Sequence, residues 1–362
     1  METNHDPEIG NPSVFMTRYF ITGAQGFVGR YLVSHILKTQ PDSEIHGIGR
    51  SRGQNHSFTH FVQWAGKPVR APLPCELPEL DDRRYQYTAV SIHQTECVAS
   101  RIKMFKPDVI IHLASGLRDD PLPSLLKTNV EGTVDLLDAV VQSKHRPHRI
   151  LLGSTGGVYG VAGQLPLFEN TACHPIDFYS STKLAAEHVS RILARHHALP
   201  VVWARLFNLA GPGQDERHIC GRFSSQVAAI AEGLSPAVMD VESLDTTRDF
   251  IDVRDVASAL ATICLAREPI AIYNVGSGHE TAMGSVLDLA LESAGLLNRV
   301  TIRQKTTRSI DIPRHVSSID RLSGLGFECR YPLHKTIADN VDYYRTYVRA
   351  MAATTEDMVP VL

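Results

Sequence analysis

The stretch Thr22-Gly23-Ala24-Gln25-Gly26-Phe27-Val28-Gly29 follows an apolar run and precedes a segment whose apolar residues recur at helical spacing. A strand, a tight glycine turn and a helix start, in this order, form a corner that binds the pyrophosphate of a dinucleotide. The first glycine permits the turn, the second lets the backbone approach the phosphates, and the third lets helix and strand pack closely. We therefore expect cofactor contacts from Gly23, Gln25, Gly26, Phe27, Val28 and Gly29.

Strand and helix patterns alternate from this corner to about Leu206, which is typical of a parallel sheet covered by helices on both faces. The segment 51–84 is long for a connection between strands and is rich in proline, so we expect an ordered surface excursion. Helices are expected at 223–232, 283–297 and 336–347. Strands are expected at 18–21, 44–48, 85–90, 109–113, 149–152, 201–205 and 272–275.

Tyr179 and Lys183 are four residues apart, so on a helix they project from the same face. An ammonium group near a phenol lowers the pKa of the phenol. Such a phenol suits a proton donor to a developing alkoxide, or its base in the reverse direction. Thr155 follows a buried strand and lies at its carboxyl end, where ligands bind in such sheets. We predict Thr155, Tyr179 and Lys183 as the catalytic residues.

The glycine corner, the hydroxyl after the strand and the Tyr/Lys pair occur in the order and spacing of the extended short-chain dehydrogenase/reductases. The chain resembles that family from about residue 17 to 345. Within it, the sequence is most similar to the GDP-mannose 4,6-dehydratases and GDP-6-deoxy-4-keto-mannose reductases. The similar segments are Arg205-Leu206-Phe207-Asn208-Leu209-Ala210-Gly211-Pro212-Gly213-Gln214, Arg248-Asp249-Phe250-Ile251-Asp252-Val253-Arg254-Asp255-Val256, Arg308-Ser309-Ile310-Asp311-Ile312-Pro313 and Tyr343-Tyr344-Arg345.

This resemblance implies an α/β fold, a Rossmann-type doubly wound parallel sheet with a smaller C-terminal α/β substrate-binding domain. We expect the NAD(P)-binding domain over residues 16–207 and 248–276 and the substrate-binding domain over 208–247 and 277–350, after a disordered tail, 1–15. Two helices with apolar stripes, around Leu137 and Val189, are expected to form the four-helix bundle of a homodimer, as in the superfamily.

The end of the second expected strand indicates the cofactor. NAD sites usually place a carboxylate there to bind the ribose 2′-hydroxyl, whereas this chain has Arg50, Ser51 and Arg52. Arginine binds a 2′-phosphate through charge-assisted hydrogen bonds, so NADP is expected, with NAD as the alternative. Ser91 and Ile92 align with the pair that flanks the adenine in relatives, although the usual Asp is missing. Further expected contacts are Leu113, Ala114, Ser115, Asn129, Tyr179, Lys183 and Leu206.

The residues after Thr155 indicate the reaction. In the resembled dehydratases an acidic residue or pair follows the strand-end hydroxyl and moves protons at C5 and C6, whereas Gly156 and Gly157 stand here. Reduction needs only a hydride, a proton from Tyr179 and a hydrogen bond from Thr155. The expected function is an NADPH-dependent reductase of a nucleotide-diphosphate-linked 4-keto-6-deoxy sugar. The alternatives are a 4-epimerase that retains NAD, a 4,6-dehydratase and, least favoured, an NADP sensor without activity.

The resemblance also implies how the substrate is bound. The diphosphate is expected at Asn208, with arginines around it, and the nucleoside near Asp311. The loop at 116–121 replaces a polar loop that faces the sugar in relatives, so the hexose is not identified. The full set of expected substrate contacts is Thr155, Gly156, Asn208, Arg222, Arg248, Arg308 and Asp311.

Composition limits the other partners. A net charge of −3 over 362 residues disfavours nucleic acid or an anionic membrane surface, and no apolar run approaches the ~20 residues of a membrane span. Residues 1–14 are polar and do not resemble a signal peptide. The six cysteines are scattered without a C-x-x-C pair, so free thiols in the cytoplasm are expected. No histidine shows a ligand spacing, and no metal is expected.

Overall fold

The computed structural model describes residues 16–53, 56–64, 67–77, 81–305 and 312–356 of the chain. The tail expected at 1–15 and the expected substrate contacts Arg308 and Asp311 lie outside these residues. Within the described ranges, no helix combines the length and the apolar character that a bilayer crossing requires.

A seven-stranded parallel sheet forms the centre of the molecule and confirms the predicted strands, whose ends differ by at most three residues. The strands of the described chain, numbered in chain order, are β1 Arg18–Thr22, β2 Glu44–Gly49, β3 Ser57–Trp64, β4 Lys67–Pro72, β5 Tyr85–Ala89, β6 Val109–His112, β7 Arg149–Thr155, β8 Val201–Leu206, β9 Asn208–Ala210, β10 Val238–Val241, β11 Thr247–Asp252, β12 Ile272–Val275, β13 Glu280–Ala282, β14 Thr301–Gln304 and β15 Arg314–His315. The order in the large sheet is β12-β8-β7-β6-β1-β2-β5.

Helices cover both faces of this sheet. They are α1 Phe27–Thr39, α2 Thr95–Phe105, α3 Leu122–Leu125, α4 Gly132–Ser143, α5 Phe178–His197, α6 Ile219–Ala231, α7 Val253–Leu265, α8 Met283–Ser293, α9 Asp320–Ser323 and α10 Leu333–Glu356, with a π-helical stretch, Leu126–Glu131, before α4. The helix expected to reach residue 297 ends at Ser293, because Gly295 adopts a φ of +69° and the Leu296 N–H turns back to the Leu291 carbonyl.

The central strands are apolar on both sides, as strands of a doubly covered sheet are. In β1, Tyr19 and Ile21 pack with the core under α1 and α7, while Phe20 packs with the core under α2, α4 and α5. The chain reverses direction across the sheet at β1, because β2 lies on one side of it and β6 on the other. In open α/β sheets the crevice above such a switch point binds the ligand.

The C-terminal elements build two small sheets beside the large one. β11 pairs with β9, β13 and β15, and β10 pairs with β14. A separate apolar core lies between α6, α8 and α10, with Phe223, Leu287 and Val341 among its buried residues. The boundaries of the two expected domains stay a prediction.

The excursion expected at 51–84 contains an antiparallel hairpin, β3 with β4. Its Phe58 and Val62 are fully buried, and the Phe58 ring stacks on Tyr31 of α1 with 6.4 Å between centroids. The described part of this segment therefore contributes to the core as well as to the surface. Pro68 and Pro72 lie in β4, a strand at the edge of a two-stranded sheet, where proline is tolerated.

Candidate active site

The glycine corner has the expected geometry. Gly23 adopts a φ of +72°, and a Cβ on it would lie 2.8 Å from the backbone nitrogen of Ala114. A Cβ on Gly29 would lie 2.2 Å from the Gly23 carbonyl oxygen, so only glycine allows α1 to pack this closely. Helix α1 begins after Gly26 without a side-chain cap, and its first N–H groups and dipole favour a bound anion.

A cavity of about 960 Å³ extends from this corner along the carboxyl ends of the strands. It contains most of the residues expected at the cofactor: Gly23, Gln25, Gly26, Phe27, Val28, Gly29, Arg50, Ser51, Ile92, Leu113, Ala114, Ser115, Tyr179, Lys183 and Leu206. Arg52, Ser91 and Asn129 are not part of its wall. Asn129 is buried and instead accepts hydrogen bonds from the Gly116 N–H and the Ser115 hydroxyl, both at 2.9 Å, and so positions the loop after β6.

The wall of this cavity also includes residues that the sequence analysis missed. Thr59, His60, Phe61 and Gln63 of β3 line it. His60 Nε2 donates to the Gly213 carbonyl at 2.8 Å, and the Gln63 N–H donates to Glu216 Oε1 at 3.0 Å. Strand β3 therefore connects this cavity to the loop after β9. Its sequence carries no motif that would have indicated this.

A second cavity of about 400 Å³ adjoins the first. Thr155, Tyr179, Asn208, Arg248 and His315 are among its lining residues. The residues shared by both cavities are Phe27, Gly116, Leu117, Ser154, Tyr179, Leu206, Leu209, Gln214 and His218. Because Tyr179 belongs to both walls, its side chain can act between a group in the larger cavity and a group in the smaller one.

The surroundings of Tyr179 oppose ionisation. Burial raises the pKa of Tyr179, while a hydrogen bond with Ser115 and the charge of Arg118 lower it. The guanidinium of Arg118 lies 5.7 Å from the centroid of the Tyr179 ring. The prediction that Lys183 lowers the pKa of Tyr179 finds no support, because Lys183 is not among the groups that shift it.

Lys183 lies in the same wall, one helical turn after Tyr179. Burial lowers its pKa to about 8, and the nearby charge of Glu187 limits the decrease. Glu187 is itself buried and paired with Arg205, with 2.7 Å between Oε2 and Nη2. Its other oxygen accepts a hydrogen bond from the Ser154 hydroxyl at 2.5 Å. The ion pair links α5 to β8, and the Ser154 hydrogen bond links α5 to β7, the strand that ends at Thr155.

The turn after Thr155 is closely packed. The Gly157 N–H donates to Thr155 Oγ1 at 3.1 Å, and the Gly156 carbonyl accepts from His315 Nε2 at 3.0 Å. A Cβ on Gly156 would lie 3.0 Å from the rings of His315 and Phe207, and one on Gly157 would lie 2.4 Å from Ser180 Oγ. An acid–base side chain at either of these positions would therefore require the neighbouring side chains to move.

The expected substrate contacts of the described chain do not all line one cavity. Thr155 lines the smaller cavity, and Gly156 lines neither of the two. Asn208 and Arg248 line the smaller one, and Arg222 lines the larger one. Arg248 Nη1 donates to the Ile312 carbonyl at 2.7 Å, and Arg222 Nε donates to the Glu216 carbonyl at 3.3 Å.

One group in the described chain could hold a metal ion. His93, Glu131 and Asp135 bring potential ligand atoms within 4.8 Å of one another, and His93 Nδ1 lies 2.6 Å from Asp135 Oδ2. A histidine–carboxylate pair accounts for this contact, and the expected absence of a metal stays a prediction.

Comparison with known proteins agrees with the geometry. Residues 19–276 match the model of the NAD-dependent epimerase/dehydratase family. The chain is 29% identical to GDP-6-deoxy-D-mannose reductase of Pseudomonas aeruginosa over 76% of this chain and 80% of that protein. It is 23% identical to dTDP-D-glucose 4,6-dehydratase of Mus musculus over 93% of this chain and 91% of that protein. The structure of RMD from Pseudomonas aeruginosa complexed with NADPH superposes with a TM-score of 0.71 at 24% identity, covering 92% of this chain and 100% of that one.

Proposed function

The chain belongs to the NAD-dependent epimerase/dehydratase family, and we propose that it is an NADPH-dependent reductase of a nucleotide-diphosphate-linked 4-keto-6-deoxy sugar. The observation that carries this proposal is the chemistry of the smaller cavity. Among the described residues lining it, only Asp177 bears a carboxylate. Its two oxygens accept from the Ser180 N–H at 2.7 Å and from Arg118 Nη1 at 2.5 Å. Elimination requires a free acid–base group beside the sugar, whereas reduction requires only a proton donor to the carbonyl oxygen.

Thr155 and Tyr179 supply that chemistry. Because Thr155 Oγ1 accepts from the Gly157 N–H, its own proton is free to bond to a substrate carbonyl oxygen. Tyr179 then gives its proton to the alkoxide that develops. The buried ammonium of Lys183 stabilises negative charge in this wall. The nicotinamide, when bound, supplies the hydride.

The larger cavity fits a dinucleotide. Gly23 and Gly29 let the turn and the start of α1 pack closely at one end of this cavity, and α1 presents an uncapped N-terminus to it. Arg50 and Ser51 line its adenosine end, and no carboxylate follows β2. This supports NADP over NAD, with Arg50 as the partner of the 2′-phosphate.

The relatives support the substrate class. The P. aeruginosa protein is named for a GDP-linked 6-deoxy sugar and the murine protein for a dTDP-linked sugar. In this chain, Arg248 of the smaller cavity and Arg222 of the larger one are the cations that we assign to the diphosphate, together with Asn208 of the smaller cavity.

The test is a panel of nucleotide-linked 4-keto-6-deoxy sugars incubated with the protein and NADPH. Loss of NADPH absorbance and a product heavier by two hydrogens are expected. The companion reaction contains GDP-mannose and NADP, and no product lighter by one water is expected. Formation of such a product would contradict the reductase assignment and favour a dehydratase.

A 4-epimerase is the second candidate, because β3 of the hairpin lines the larger cavity and would favour a retained nicotinamide. Thr155, Tyr179 and Lys183 serve an epimerase equally well. Release of bound NAD from the purified, denatured protein, together with turnover that needs no added cofactor, would decide for the epimerase.

We also propose a homodimer formed through the expected four-helix bundle, with α5 as the helix that carries the exposed apolar surface, since Leu137 of α4 is buried in the core of its own chain. Val189 and Ile192 of α5 are 37% and 57% exposed, although they belong to its apolar stripe. Burying them against a second copy would remove this apolar surface from water. Sedimentation of the wild type and of an Ile192→Glu variant tests the assembly, since a dimer should dissociate in the variant.

A further inference from the structure

His315 is the one histidine that the described structure places directly behind the catalytic turn. It lies on β15, in register with Arg248 of β11, and only 4% of its surface is exposed. Its ring is tilted against Phe207, with 4.8 Å between centroids. Both rings occupy the space next to Gly156, so the orientation of His315 is fixed by packing.

The hydrogen bond of His315 determines its tautomer. Nε2 lies 3.0 Å from the Gly156 carbonyl oxygen, and a carbonyl oxygen only accepts hydrogen bonds. Nε2 therefore carries the proton, and in the neutral ring Nδ1 keeps its lone pair. No hydrogen bond joins Nδ1 to another group among the described residues.

The ring is neutral over the physiological pH range. Burial, together with the positive charges of Arg248 and Arg118, lowers the pKa of His315 to about 4, against the Gly156 hydrogen bond and the charge of Asp249. Nδ1 is therefore an acceptor and not a donor. The two cations of the smaller cavity, Arg118 and Arg248, act only as donors, and the carboxylate of Asp177 accepts from Arg118 and from the Ser180 N–H.

We propose that Nδ1 of His315 accepts a hydrogen bond from a hydroxyl of the sugar ring bound in the smaller cavity, and that His315 thereby selects sugars with a hydroxyl at that carbon. This inference rests on the proposed function only in taking the bound molecule to be a nucleotide-linked sugar. A site built to bond a hydroxyl rejects an analogue that lacks it, because the buried partner is left unpaired.

Two substitutions separate the two nitrogens of the ring. His315→Gln retains an amide N–H near the position of Nε2 and removes the acceptor at Nδ1. His315→Asn places its amide oxygen near the position of Nδ1 and loses the contact with Gly156. We expect kcat/KM for the 4-keto sugar to fall ~10–100-fold in H315Q, the usual effect of one buried hydrogen bond, and less than ~5-fold in H315N.

NADPH affinity, measured by fluorescence titration, and the melting temperature are the controls, and both should stay near the wild-type values. A loss of kcat/KM in H315N that equals or exceeds the loss in H315Q would show that the contact with Gly156, and not Nδ1, is what matters, and it would overturn the inference. Deoxy analogues of the sugar test the wild type directly. With one of these analogues, the wild type should show a kcat/KM as low as that of H315Q with the complete sugar. With the same analogue, H315Q should show nearly the same kcat/KM as the wild type.

Binding distinguishes this inference from the proposed function. Calorimetry compares GDP-mannose with GDP and UDP-glucose with UDP, in the wild type and in H315Q. The contribution of the hexose to affinity should disappear in H315Q. This result is expected even if the protein reduces no 4-keto sugar, and in that case only the reductase assignment fails. The role of His315 would be overturned if the hexose contributed equally to affinity in H315Q and the wild type. It would also be overturned if none of the four nucleotides bound.

Discussion

Arg118 and Asp177 form an ion pair across the mouth of the smaller cavity, with 2.5 Å between Nη1 and Oδ2. Asp177 also caps α5 by accepting from the Ser180 N–H. The pair therefore ties the loop after β6 to the start of the helix that carries Tyr179, and it keeps a positive charge near the phenol.

Removing that charge should change the pH dependence of turnover. Arg118 lowers the pKa of Tyr179, so the pKa should rise in Arg118→Ala. In the reduction, Tyr179 acts as the protonated acid, and activity is lost as pH rises through its pKa. The alkaline limb should consequently move to higher pH in R118A. Arg118→Lys keeps a cation and should move the alkaline limb less. An alkaline limb at the same pH in the wild type, R118A and R118K would contradict an effect of Arg118 on Tyr179.

Tyr179→Phe should lower kcat by ~10²–10⁴, the usual contribution of a positioned general acid. The fold and the affinity for NADPH should be retained, because the ring remains and only the hydroxyl is lost. Tyr331→Phe is the matched control, since Tyr331 stacks on Arg254 outside both cavities. Turnover near the wild-type value in Y179F would remove Tyr179 from the mechanism.

The two arginines after β2 should differ in their effect on the cofactor. Arg50 lines the larger cavity and Arg52 does not. Arg50→Ala should therefore reduce the NADPH/NADH affinity ratio by ~10–100-fold, which corresponds to the loss of charge-assisted hydrogen bonds. Arg52→Ala should leave the ratio close to that of the wild type. If the two variants behave alike in fluorescence titrations, the assignment of Arg50 is wrong.

The hairpin should contribute to cofactor binding. Phe61 lines the larger cavity and is 47% exposed, so Phe61→Ala should spare the fold. Losing about half of a phenylalanine's burial against the ligand costs about 1 kcal/mol, roughly a fivefold weaker NADPH complex. Phe168→Ala, at a similarly exposed position outside both cavities, is the control. Stopped-flow measurement of NADPH release would show whether F61A acts on the dissociation rate.

The sequence predicted the elements that depend on local rules. Gly23 to Gly29, the strands and the Tyr179/Lys183 spacing follow from turn chemistry and hydrophobic periodicity, and the structure contains the turn and the strands. His315 could not be predicted in this way, because its contact with Gly156 spans 159 residues and depends on the register of β15 against β11.

The hairpin was missed for a different physical reason. Its second strand includes Pro68 and Pro72, which favour a loop interpretation in sequence, and only an edge strand tolerates them. Its contribution to the cofactor cavity arises from its packing on α1 and on the loop after β9, through Phe58 and His60. Tertiary contacts of this kind leave no periodic signal.

The buried pair of Glu187 and Arg205 also restricts how this sequence can diverge. Losing one member leaves an uncompensated buried charge, at a cost of about 3–5 kcal/mol, a large part of the ~5–15 kcal/mol that holds a typical domain folded. Replacing both with apolar residues can be nearly neutral, but it would also remove the charge that supports protonation of Lys183. The two positions are therefore expected to change together, in descendants that also acquire a different proton affinity at Lys183.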